Sequence, residues 1–159
     1  MDPPENVRLQ KSSGKVVIQA PVQSSCLAYI RTLVADIARQ VGFPDDEIAK
    51  IEMAVDEACS NIVEHSYAPD KAWQWKHTDP QIRLEVRTEP DKLVVLINDS
   101  GQRFDFSTYR PHDLEQRILQ MHTGGYGVAI MREFMDEVQY SSSDAAGNTL
   151  RLVKYLKKS

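Results

Sequence analysis

The chain has only two cysteines, Cys26 and Cys59, too few for a disulfide framework and not spaced as a zinc site. Both fall in apolar helical patterns, where a small buried thiol in a reducing compartment is the ordinary reading. No stretch approaches the eighteen or more apolar residues of a membrane span, and Met1-Asp2-Pro3-Pro4-Glu5 lacks the basic-then-apolar order of a secretory leader. No membrane partner is therefore expected, and a cytoplasmic location is. An excess of positive charge is missing too. The 19 Lys and Arg stand against 23 Asp and Glu, a formal net charge of -4, which argues against direct nucleic-acid binding. There is no internal repeat and no low-complexity segment. What is present, 42% hydrophobic and 26% charged residues over 159 positions, suits one soluble domain spanning 1–159 with a single core.

Two β-favouring stretches, Asn6 to Lys11 and Lys15 to Ala20, flank Ser12-Ser13-Gly14 and predict a hairpin that Pro21 stops. From an N-cap at Ser24 or Ser25, apolar residues recur at Leu27, Ile30, Val34, Ile37 and Val41, one helical face ended by Gly42. Asp45, Asp46 and Glu47 open a second helix with the stripe Ile48, Ile51, Val55, Ala58 and Ile62, reaching about His65. Residues 68–80, with Trp73 and Trp75 and no period, read as a long loop, either a cover on the core or a partner contact. Ile82, Leu84 and Val86 alternate as in a half-exposed strand. After Glu89-Pro90-Asp91, the unbroken run Leu93 to Ile97 predicts a strand covered on both faces. A polar stretch from Gln102 to Thr123, with a short helix expected at Asp113 to Met121, precedes Gly124-Gly125-Tyr126-Gly127 and the helical pattern Val128, Met131, Met135. Two strands near Glu137 to Ser141 and Asn148 to Leu156 close the chain. Hairpin-linked strands with interposed helices predict an α+β sandwich, helices on one face.

Three places carry residues suited to chemistry. Glu57 and Asn61, four apart, project from one side of the second helix with Lys50 and Glu64. Taken alone they read as a solvated polar face. Beside a phosphate site, though, the carboxylate could accept a proton from an attacking hydroxyl and the amide oxygen could ligate Mg²⁺. Asp99 ends the apolar strand before Ser100-Gly101, which is ordinary turn chemistry and equally a carboxylate that could accept a hydrogen bond from the adenine amino group. Gly124, Gly125, Tyr126 and Gly127 precede a helix, so their amides could converge on a phosphate or merely make a turn.

In their order and spacing, EMAVDEACSNIVEHSY, INDSGQRFDF and GGYGVAIMREFMDEVQY resemble the three ATP-site boxes of the bacterial anti-sigma factors that are also serine kinases, within the GHKL ATPase superfamily. The likeness runs from about Ser24 to Lys157. It implies the two-layer α/β sandwich of the GHKL (Bergerat) type, with a mostly antiparallel mixed sheet. It further implies Glu57 as catalytic base, Asn61 as Mg²⁺ ligand, Asp99 as reader of adenine and Gly101 as the residue allowing close approach. Residues of about 103–124 would be the ATP lid, with Gly124, Gly125, Tyr126 and Gly127 its phosphate-contacting end. Thr149 matches the family's late threonine near the base. His65 would touch phosphate or cap its helix. The cofactors implied are ATP and Mg²⁺. The partners implied are a sigma factor or other switch target, a STAS-domain anti-anti-sigma protein as substrate, and a second copy in a homodimer. Two other readings share these boxes: an ATP-binding switch module without transfer, and a detached histidine-kinase catalytic domain.

Overall fold

In a computed structural model of the chain, residues 2–66, 80–101 and 126–157 are described, apart from the side chains of 65, 66 and 126. The N-terminal hairpin pairs β1 (Arg8–Ser12) with β2 (Lys15–Pro21). Helix α1 (Ser24–Val41) follows, and its expected serine cap is not used. Gln23, in an extended conformation, takes the cap position without a side-chain bond, and its carbonyl accepts the N–H of Cys26 at 3.0 Å. The helix ends as its sequence requires, the Gly42 N–H bonding to the carbonyls of Ala38 and Arg39. Three residues later α2 (Asp45–Asn61) begins, with Asp45, Asp46 and Glu47 at the positive end of its dipole. It runs directly into a π-helical turn, Ile62–Ser66, a wider winding that periodicity does not reveal.

The remaining elements among the described residues are β3 (Gln81–Glu89), β4 (Lys92–Asp99), α3 (Tyr126–Phe134), β5 (Glu137–Ser143) and β6 (Gly147–Tyr155). The sheet order is β1-β2-β3-β4-β6-β5. All described neighbours pair antiparallel, in keeping with the mostly antiparallel sheet expected. The cause is connectivity: β1–β2, β3–β4 and β5–β6 are hairpins, and α1 and α2 fold back on each other before the chain re-enters the sheet.

Strand alternation sends Ile18, Ala20, Ile82, Leu84, Val86, Leu93, Val95, Ile97, Leu150 and Leu152 to one face, all buried. Against them pack Ile30 and Val34 of α1, Ile51 and Val55 of α2, and Met131 of α3, forming one core. Central α2 touches both α1 and α3. Strand β4 is buried on its other face as well, where Val94 stands beside Val153, as the unbroken apolar run predicts. Cys26 and Cys59 are both buried and unpaired, and burial pushes the Cys59 thiol up to about 12, so it stays an inert apolar filler. No helix among the described residues is long and apolar enough to cross a membrane.

The ion pair between Lys154 and Glu47 fixes which way the central helix runs. Lys154 sits opposite Leu93 on the helix-side face, and its Nζ lies 2.8 Å from Glu47 Oε2 in the first turn of α2. The same ammonium donates to the Phe134 carbonyl at the end of α3 at 2.7 Å. From there to Asn61 α2 rises about 21 Å, and β4 spans a similar ~24 Å from Lys92 to Asp99. The end of α2 and the start of α3 therefore stand at the Asp99 end of the sheet.

Candidate nucleotide site

At that end, Glu57 and Asn61 are neither core nor fully solvated; both are half-buried. Their neighbour is the first turn of α3. A methyl group built on Gly127 would lie 2.7 Å from Asn61 Nδ2 and 3.2 Å from both Asn61 Oδ1 and Glu57 Oε2. Only hydrogen leaves that space free, so Gly127 lets the α3 backbone close against the pair. Burial pushes the Glu57 carboxyl up, with Asp56 and then Glu64 adding like-charge repulsion. Among the described residues no ion pair involves Glu57, so the group is a stronger base than a solvated carboxylate.

Asp99 ends β4 on the same helix-side face, only 8% exposed. Its Oδ1 accepts the backbone N–H of Gly101 at 2.9 Å and Asn148 Nδ2 at 3.0 Å. Burial pushes this carboxyl up, and the Asn148 and Gly101 hydrogen bonds oppose that shift. The chain passes close to Asp99 at Gly147, where φ is +73° and a built Cβ would stand 2.5 Å from the Asp99 carbonyl oxygen. Any side chain there meets both backbone strain and a clash.

Thr149 is not brought to this group. It pairs with Asn98 on the opposite face of the sheet, and its Oγ1 accepts a hydrogen bond from Asn98 Nδ2 at 2.6 Å. The physical reason is the two-residue period of a strand: Leu150 and Leu152 face the helices, so residue 148 does and residue 149 does not. Asn148, which sequence reasoning passed over, is the residue opposite Asp99. The same parity, readable from Leu150 and Leu152, was the signal for it. Of the other expected residues, His65 lies in the π-helical turn and Tyr126 begins α3. Gly124, Gly125 and the expected lid at 103–124 fall outside the described residues, as do Trp73, Trp75 and the helix expected at Asp113 to Met121.

Among the described residues, an antiparallel sheet under three α-helices, with a Glu–Asn pair and a buried aspartate at one end, has the make-up of a GHKL-type ATPase domain. The family described as histidine kinase-like ATPase domain matches residues 21–154, and the chain belongs to it. It is 28% identical over 148 residues to the serine-protein kinase RsbW of Bacillus cereus strain Q1, covering 91% of this chain and 86% of that one. It is likewise 28% identical over 152 residues to RsbW of Bacillus subtilis strain 168, covering 93% and 89%. In fold it is similar to a chain of the SiaB–SiaC complex from Pseudomonas aeruginosa, with a TM-score of 0.61 at 13% identity, covering 94% and 90% of the two chains.

Proposed function

We propose that this protein is an ATP-dependent protein serine kinase and anti-sigma factor whose substrate is a STAS-type anti-anti-sigma protein. The observation that carries the reading is the half-buried Glu57–Asn61 pair closed on by Gly127, at the same end of the molecule as the buried Asp99. The donor set suits Mg-ATP. Asp99 offers an acceptor to the adenine amino group, with Gly101 beside it, and the start of α3 offers amides and a positive dipole end to phosphate. Asn61 supplies a neutral oxygen for Mg²⁺, which when bound offsets phosphate charge. The expected lid at 103–124, with Gly124, Gly125 and Tyr126, belongs to this proposal, and so does His65.

In the reaction, Glu57 takes the proton from the substrate serine hydroxyl. The serine oxygen forms its bond to the γ-phosphorus as the bond from that phosphorus to the β,γ-bridging oxygen breaks, and ADP leaves. Because such transfers depend mainly on alignment and charge neutralisation, the remaining residues act by holding the reactants in line. The same chain would hold a sigma factor, as a homodimer, until the unphosphorylated antagonist displaces it. Incubation with labelled ATP, Mg²⁺ and a candidate STAS protein tests the kinase. An acid-stable, serine-linked label supports it. An acid-labile label points instead to histidine transfer, and nucleotide binding without any label to a switch module. Pull-down of sigma factors with and without ATP tests the second activity.

A further inference from the structure

Asp99 can read a base only if its carboxylate is held in one orientation, and the hydrogen bonds around Asn148 do that. The Ser142 hydroxyl, from edge strand β5, donates to Asn148 Oδ1 at 2.7 Å. The Asp99 carboxylate and the Gly101 carbonyl, which only accept, settle that the amide's NH₂ end faces them, and the Ser142 bond holds the other end. The Nδ2 group then donates to two acceptors, Asp99 Oδ1 at 3.0 Å and the Gly101 carbonyl at 2.9 Å. The Gly101 N–H also donates to Asp99 Oδ1. Asp99, Gly101 and Asn148 thus form a closed cycle at the sheet end, its two side chains buried, with Asp99 8% and Asn148 3% exposed. Both donors use the same carboxylate oxygen, which aims the pair of oxygens and favours the ionised, acceptor-only form.

We propose that Asn148, oriented by Ser142, is a positioning residue for base selection, locking Asp99 and the Gly101 backbone into the arrangement that accepts the exocyclic amino group of adenine. This rests on the nucleotide reading above and deepens it, since Asn148 acts through Asp99 and touches no reacting atom. A side chain in this register with a single hydroxyl could not donate to both Asp99 and Gly101 at once; the amide, with two hydrogens, does.

The test uses two ligands that differ only at the group Asp99 would accept: ADP, and the diphosphate of purine riboside, which carries hydrogen in place of the 6-amino group. Affinities are measured by calorimetry with Mg²⁺ for the wild type, Asn148→Ala and Ser142→Ala, with folding checked by circular dichroism. The wild type is expected to prefer ADP by about tenfold or more. Asn148→Ala should reduce that preference to about twofold, through loss of ADP affinity alone, with the purine diphosphate bound as before. Ser142→Ala should reduce it by about two- to threefold and serves as the deciding variant if Asn148→Ala does not fold. Equal losses for both ligands, or a preference unchanged in either folded variant, would overturn the role of Asn148 while leaving the nucleotide site standing. No ADP binding by the folded wild type would remove the nucleotide reading, and this inference with it.

Discussion

The two ends of the sandwich treat carboxylates withdrawn from water in opposite ways. At the Leu93 end, Glu47 is paired with Lys154 at 2.8 Å and Lys50 at 3.1 Å, and the Lys154 ammonium holds its carboxyl below the usual range. At the Asp99 end, burial pushes both Glu57 and Asp99 up, and no ion pair among the described residues involves either. One end is a closed electrostatic joint tying α2, α3 and β6 together. The other leaves acceptors that, on the proposed function, meet a ligand bringing its own cation and donors. On the proposed function, the same residue type is structural where its charge is matched inside the protein and functional where it is not.

The largest expected effect separates the ends most sharply. Glu57→Ala should lower the rate of transfer by about 10²–10⁴-fold while Mg-ADP binding persists, as read by phosphorylation of a STAS substrate alongside titration. Binding lost together with transfer would make Glu57 a structural group like Glu47. Next, Lys154→Met should destabilise the fold by about 1–3 kcal/mol, because the partly buried Glu47 loses its shorter partner and keeps only Lys50. Chemical denaturation measures this, and Glu47→Gln in the same background should recover part of the loss. Gly127→Ala should weaken nucleotide binding by driving a methyl group into Asn61 and Glu57, with a smaller loss of stability than Lys154→Met.

The smallest effect is a difference of sign. The raised Glu57 carboxyl favours the folded state below the ordinary carboxylate value, and this contribution is lost as pH rises through the raised one. The lowered Glu47 carboxyl favours the folded state above the ordinary value, and its contribution is lost as pH falls through the lowered one. At neutral pH, Glu57→Gln should therefore raise the melting temperature, by at most about 2 °C after solvent screening, and Glu47→Gln should lower it. Shifts of the same sign would erase the contrast between the ends.

How far the sequence discloses all this depends on the distance over which each feature is determined. The helical faces of α1 and α2 are local, and Ile30, Val34, Ile51 and Val55 mark them through spacing alone. The doubly covered β4 was legible from its unbroken apolar run. The Glu57–Asn61 pair was visible as spacing, but its half-buried state depends on Gly127, 66 residues further on than Asn61. Choosing Asn148 over Thr149 needed the register between β4 and β6, across 49 residues, although the parity of Leu150 and Leu152 already pointed there. The joint at Lys154 was hidden for a related reason: a lysine at a helix-facing position makes sense only once Glu47 and the Phe134 carbonyl are seen to meet it.

Calorimetric titration of the folded protein with Mg-ADP bears most directly on the assignment of the Asp99 end. Saturable binding at one site per chain, abolished by Asp99→Asn and preserved in Glu57→Ala, is the predicted result. A folded protein that shows no saturable heat with adenine nucleotides, or binds them equally well after Asp99→Asn, would contradict it.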